Sequence, residues 1–527
     1  MAVGTMAAEI AQGDVTTAAV EERAKFQRHF ARFDMLFFLI CALVGLDTLG
    51  TVASYGAQGF TWMLFIAVFF FLPYGLLTAE LGSAFTDEGA PYTWTRMAFG
   101  RFVAALNQVP SWLSNPIWLG GTLTITAVFT MNAFVTPGLA TSNWKYVFAI
   151  GFIWFAVMSA ILSLNIGKWV PTIGAFARVV ILALFVGTVF IYALQHGVHG
   201  FGGSAFLPSY ALFIAVVPVL IFNFVGFETP NAAGEELKNP QKDVPIAVGR
   251  AGILTLLLYG LPILGILLVL PTSQVTSLGG FLNAMKTVFT VYGGYVGADG
   301  TSVFLTGLGQ ALGTVVALGF VWALATSGTT WIMSADRAQA VAGYDGAAPR
   351  FMGVISSRFG TPVTVNFLSG IIATIFMITA FLVSGSAAKY FTVVLALAIS
   401  TTTITYLPMF AGAIVLRYNK YKSINRPYRV PFGNSGMWVC AVLTVGFCIL
   451  ATIAVIYPGF GTSDPEAALT TLGWGGQRTQ FEILQIAPLV VMAIIGVAFY
   501  YIATPTRKKI ATSVAPLGSA MTAPAGD

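Results

Sequence analysis

The chain is 527 residues long, 57% hydrophobic and only 9% charged, with a net charge of +6. Soluble globular domains carry roughly 25% charged residues, so a water-soluble globule of this size is excluded. What remains is a polytopic membrane protein whose main solvent is lipid.

In chain order, residues 1–32 form a polar tail with Glu21, Glu22, Arg23, Lys25 and Arg28. It lacks the apolar core and small-residue cleavage site of a signal peptide. Long charge-free gaps follow: Arg101 to Lys145, Arg178 to Glu228, Arg250 to Lys286, Arg358 to Lys389, Lys389 to Arg417, Arg429 to Asp464 and Glu482 to Arg507. A helix needs about 20 apolar residues to cross the hydrocarbon core. The gaps therefore predict about twelve spans, at 34–56, 62–85, 102–135, 145–166, 170–195, 210–234, 246–270, 303–340, 362–385, 389–417, 437–457 and 481–503. Continuous apolar runs of this kind exclude a β-barrel, whose strands alternate. Residues 504–527 read as a polar, disordered tail.

An even number of spans puts both termini on one side. That side receives 22 of the 26 Lys and Arg, leaving Lys145, Lys286, Lys389 and Arg478 opposite. The positive-inside rule makes the terminal side cytoplasmic, so the basic balance is a topology signal and not a nucleic-acid footprint. Cys41, Cys440 and Cys448 lie in apolar stretches as packing residues, and three scattered histidines form no metal cluster. No Walker-type phosphate loop occurs, which argues against ATP drive. No nucleophile–base or metal constellation appears in the spans, so neither an enzyme nor a cofactor is expected.

Two spans are interrupted at matching places. The first contains Gly45-Leu-Asp47-Thr48-Leu-Gly50, and the sixth contains Asn223-Phe-Val-Gly226-Phe-Glu228-Thr229-Pro230. Each joins helix-breaking residues to a carboxylate near mid-span, five helices apart. Such pairs point to an inverted-repeat transporter with its site at the breaks.

The stretch Phe222 to Pro245 (FNFVGFETPNAAGEELKNPQKDVP) resembles the sixth-helix signature of the amino acid–polyamine–organocation superfamily. LTAEL at 77–81 with EGAPYTW at 88–94, ADRA at 335–338, GYDGAAP at 343–349 and RPYRVP at 426–431 resemble further motifs of that family, in order. The resemblance implies an all-α, LeuT-type fold. Helices 1–10 (33–418) form a 5+5 inverted repeat, followed by a loop and helices 11–12 (419–503), in the cell membrane. It implies a permease for amino acids, polyamines or small organic amines, working by alternating access, proton-coupled and sodium-independent. An amino acid/amine exchanger stays open, as does a channel or non-transporting sensor on the same fold. Oligomeric state is not legible.

By the same resemblance, substrate is expected at Gly45, Asp47, Thr48, Gly50, Asn115, Phe222, Asn223, Gly226, Thr229 and Trp331. Gly45-Leu-Asp-Thr-Leu-Gly50 stands in the region where many relatives have a small glycine-serine-glycine-like triplet that takes the substrate carboxylate, and Asp47 lies where plant-type polyamine permeases have an acidic residue. A carboxylate at the bilayer centre costs roughly 2.5–3.5 kcal/mol, so Asp47 is expected to seat a substrate ammonium rather than cap neighbouring amides. Glu228 matches a gating and proton-coupling glutamate, with bridging of the sixth-helix break as the structural alternative. Trp112, three residues before Asn115, is expected near the gate. Arg178 stands near a lysine whose cation replaces bound Na⁺, unless it snorkels to the interface. Glu235 and Glu236 read as a solvated cluster near an inner gate.

Overall fold

The structure is a computed structural model describing residue 22 and residues 31–162, 167–198, 203–276, 279–383, 387–419 and 421–509. The expected tails at 1–32 and 504–527 lie largely outside the described residues. Among the described residues, eleven helices are long and apolar enough to cross a membrane. They are α1 (Arg32–Ala53), α2 (Gly56–Ala84), α3 (Ala90–Phe134), α4 (Trp144–Ile161), α5 (Trp169–His196), α7 (Pro240–Val269), α8 (Gly307–Tyr344), α9 (Val363–Leu382), α10 (Lys389–Tyr418), α11 (Gly433–Ile456) and α12 (Arg478–Ile502). The shorter apolar helix α6 (Tyr210–Asn223) completes the expected twelve. Large apolar side chains such as Phe176, Leu194 and Leu382 stand exposed on the outer surface, as a lipid-facing wall requires.

Both predicted interruptions are present. α1 leaves helical geometry after Leu43, passes through Val44 and Gly45, makes a 3-10 turn over Leu46–Thr48 and resumes at Leu49. The sixth span was expected as one helix over 210–234. Instead α6 stops at Asn223, and the chain re-forms only as a 3-10 turn over Thr229–Glu236. The cause is local. Gly226 sits at φ +134°, where other residues are strained, and Pro230 lacks the N–H that would continue a helix. A Cβ placed on Gly226 would lie 3.3 Å from Trp331 and 3.4 Å from Ala42 of α1, so the two breaks pack against each other.

Several span starts also differ from the sequence expectation, among them α2 at Gly56 and α7 at Pro240, each six residues early, and two have a clear local cause. α3 begins at Ala90 rather than near 102, because Pro91 favours a helix start and Gly100 at φ +85° then kinks the rod. α8 begins at Gly307 because residues just before it form a hairpin, β1 (Gly294–Val296) antiparallel to β2 (Val303–Leu305). At its tip the Ser302 hydroxyl and amide, with the Thr301 amide, hold the Asp299 carboxyl well below the usual range.

The side bearing the chain ends is closed by ion pairs. Arg32 meets Asp243 at 2.7 Å, and Lys168 meets Asp34 at 2.9 Å. Arg337 pairs with Glu236 at 3.1 Å and stands 3.5 Å from the Glu88 carboxyl, while Glu80 takes Arg417 and Arg426. Glu236, expected as part of a solvated cluster, is thus buried and paired. Between Glu236, Glu235 and Arg337, burial and then the Glu236 charge push the Glu88 carboxyl well above the usual carboxylate range.

Candidate functional site

The two breaks enclose a cavity of about 20 Å³ lined by Gly45, Asp47, Thr48, Ser114, Asn115, Trp118, Phe222, Asn223, Tyr259, Trp331 and Thr402, among others. A water needs about 10–15 Å³ and a drug-sized ligand site about 300–1,000 Å³. The site is therefore shut around a water-sized space.

Its chemistry is set by Asp47, which is 3% exposed. One carboxylate oxygen, Oδ2, accepts from the Trp118 indole N–H at 3.0 Å. The other, Oδ1, is buried and has no hydrogen-bond partner. Across the cavity, the Asn223 amide oxygen is likewise buried and unpartnered. Unmatched buried acceptors cost about 1–3 kcal/mol each, more when charged, so the cavity is short of donors. Trp118 stands edge-on to both Phe222 and Trp331, with ring centres 6.0 and 6.3 Å apart. Trp331 is fixed by its own indole N–H to the Ala42 carbonyl at 3.0 Å. The result is one free carboxylate oxygen in a cavity walled by three aromatic rings, a fit for an organic cation.

Of the expected substrate residues, Gly45, Asp47, Thr48, Asn115, Phe222, Asn223 and Trp331 line this cavity. Gly50, Gly226 and Thr229 do not line it; Thr229 instead donates to the Gly226 carbonyl at 2.7 Å. Trp112 points elsewhere, donating to Ser369 at 2.8 Å and Asp336 at 3.0 Å. Trp118 was not singled out in the sequence, although it is the indole that touches Asp47. Tyr259 and Tyr74 were also missed. Tyr259 accepts from the Gly45 amide at 2.7 Å and donates to the Leu43 carbonyl at 2.9 Å.

Glu228 lies in an adjoining cavity of about 30 Å³ on the terminal side, sharing Ser114, Asn115, Trp331 and Thr402 with the first. It accepts from Tyr406 at 2.5 Å and from Tyr74. Tyr74 in turn accepts from the Gly226 and Phe227 amides at 2.8 and 2.7 Å. On the opposite side a much larger hollow, about 560 Å³, reaches Thr51, Val219 and Ile399. Each of these stands three residues, about one helical turn, from the cavity residues Thr48, Phe222 and Thr402.

Arg178 does not snorkel; it is 0% exposed in the core. Its guanidinium donates to the Val44 carbonyl at 3.0 Å, Cys41 sulfur at 2.9 Å, Thr326 hydroxyl at 3.0 Å, and to the Ala323 carbonyl and Ser327 hydroxyl. It thereby pins the α1 break to α8 with oxygens of the sort a bare cation would take.

The chain is 26% identical over 435 residues to an uncharacterised transporter of Legionella pneumophila, covering 81% of this chain and 89% of that protein. It is 25% identical over 447 residues to the probable agmatine/putrescine antiporter AguD of Lactococcus lactis, covering 84% and 90%. With the branched-chain amino acid permease BcaP of Bacillus subtilis identity is 21% over 523 residues, covering 94% and 96%. Its fold matches the crystal structure of a manganese transporter from Eremococcus coleocola at a TM-score of 0.56 and 10% identity, covering 91% and 95%. Two helices broken side by side in a twelve-span core thus have their counterpart in sequence, for residues 30–476 match the family model described as amino acid permease, and the chain belongs to that family of membrane transporters.

Proposed function

We propose that this protein is a secondary transporter of a small amine-bearing solute, an amino acid or a polyamine, that works by alternating access without sodium. One observation carries the reading. The Asp47 Oδ1 atom is buried, unpartnered and set in a closed cavity at the α1 break. A buried carboxylate is kept in a membrane core when something binds it. A substrate ammonium supplies the missing donors, while Phe222, Trp118 and Trp331 surround its alkyl part.

The remaining geometry supports a cycle. Ion pairs close the terminal, cytoplasmic side, while the hollow on the other side stops one turn short of the cavity. Access from outside then needs a small shift of the Val219 and Ile399 turn, and release inward needs the ion pairs to part. Glu228, held by Tyr74 and Tyr406, couples occupancy to protonation: a proton arriving on the carboxylate makes it a donor, and one tyrosine hydroxyl must reverse. Arg178 fills the place of a coupling cation with a tethered charge.

The 25% relative described as an antiporter favours exchange as a second mode. Proteoliposomes separate the two modes. A proton symporter accumulates labelled substrate under an imposed proton gradient with empty vesicles. An exchanger does so only when unlabelled amine is loaded inside. Saturable uptake unaffected by replacing sodium with choline supports the proposal; uptake that requires sodium contradicts it.

A further inference from the structure

A broken helix exposes main-chain amides that have no intrahelical partner, and in such folds these amides are the natural seat for an anionic substrate group. Here tyrosine hydroxyls already hold three of them. The Gly45 amide donates to Tyr259 at 2.7 Å, and the Gly226 and Phe227 amides donate to Tyr74 at 2.8 and 2.7 Å. Neither hydroxyl has its proton to spare, because Tyr259 donates to the Leu43 carbonyl and Tyr74 to Glu228.

Other donors at the cavity are engaged as well. The Trp118 N–H is on Asp47, the Trp331 N–H on Ala42, the Ser114 hydroxyl on Ser111 and the Thr402 hydroxyl on Ala398. Two buried acceptors at the cavity stay unmatched, the Asp47 Oδ1 and Asn223 Oδ1 atoms. A substrate carboxylate drawn to Gly45 would also face Asp47, since a Cβ on Gly45 would lie 3.1 Å from Asp47 Oδ1 and 3.4 Å from the Tyr259 hydroxyl.

We infer that Tyr259 is a specificity-determining residue that plugs the carboxylate seat at the Gly45 amide, so that the transported solute is an organic cation without a carboxylate, such as an aliphatic polyamine or guanidino-amine, and not its parent amino acid. The inference rests on the amine-transport reading above and narrows it.

Matched pairs that differ only by the carboxylate test it: agmatine against arginine, cadaverine against lysine, putrescine against ornithine. Binding is measured by calorimetry on the purified full-length protein and on Tyr259→Phe, which frees the Gly45 amide. One unmatched buried charged partner is worth about 10-fold or more in affinity. In the wild type at least one amine binds, about 10-fold or more tighter than its amino acid. In Tyr259→Phe the amine still binds and the ratio shrinks by about 10-fold. The wild type binding an amino acid as tightly as its paired amine overturns the inference, as does a Tyr259→Phe protein that keeps amine affinity with the ratio unmoved. Should Tyr259→Phe fail to fold, the wild-type ratios decide alone. Binding of none of the six compounds instead removes the amine-transport reading beneath it, while amino-acid binding leaves that reading standing.

Discussion

Replacing Arg178 with alanine tests whether a tethered cation organises the α1 break. The guanidinium fills all five donors on α1 and α8, and the Val44 carbonyl it serves lies where the helix is interrupted. Orphaning that carbonyl costs about 1–3 kcal/mol, and the hole left by a long buried side chain about 2 kcal/mol more. Arg178→Ala therefore loses about 3–5 kcal/mol, read as a lower unfolding midpoint of the purified protein in detergent. The vacated space is ringed by the Val44 and Ala323 carbonyls and the Thr326 and Ser327 hydroxyls. Hard cations prefer such oxygen sets. Sodium chloride should then raise the variant's midpoint while choline chloride does not, and the wild type should respond to neither. A variant as stable as the wild type, or a wild type that sodium stabilises, refutes the reasoning.

The Glu88–Glu236–Arg337 cluster makes closure of the side bearing the chain ends pH-dependent. Because the Glu88 carboxyl is pushed above its ordinary value by burial and by Glu236, it favours the closed form while protonated. That contribution is lost as pH rises through the raised value. Crosslinking or accessibility at the helix ends on that side should show opening with rising pH in the wild type and a flatter profile in Glu88→Gln. Gly226→Ala forces a side chain into φ +134° with Trp331 3.3 Å away, a strain of about 1–3 kcal/mol, and uptake should fall sharply while Gly249→Ala, at an open helix position, is tolerated. Glu228→Gln keeps the size of the group bound by Tyr74 and Tyr406 but cannot titrate, so the pH dependence of uptake in proteoliposomes should flatten; a full pH profile in that variant rules out the coupling role.

The spans were legible because lipid forbids charge, so the charge gaps mark them without reference to tertiary structure. The two breaks were legible for a similar reason: Gly and Pro next to a carboxylate leave few other readings in an apolar run. The wiring of the site was not. Tyr74, Tyr259 and Tyr406 sit on α2, α7 and α10, and their partners lie across the bundle, so nothing in local sequence pairs them. The α3 tryptophans show the limit. Trp112 and Trp118 are six residues apart, which at about 100° per residue turns them to different faces. Helical phase relative to Asp47 decides that Trp118 meets the carboxylate and Trp112 meets Asp336. The kink at Gly100 and the wide turn at Leu119–Leu123 make that phase hard to carry along the sequence. A tryptophan or tyrosine in mid-span, needing a partner for its polar end, was the signal available. Glu236 misled because charges beyond a span normally meet water, and here the 3-10 turn after the sixth-span break folds it beneath Arg337.

The most direct measurement compares calorimetric affinity of the wild type and Asp47→Asn for the tightest ligand among those six compounds. Asparagine preserves shape and the Trp118 contact while removing the anion, and a hydrogen bond to a charged group is worth about 1.5–3 kcal/mol. Affinity is predicted to fall by about 10- to 150-fold with little change in unfolding midpoint. Equal affinity in the two proteins would mean that the solute's cation is seated somewhere other than the broken first helix.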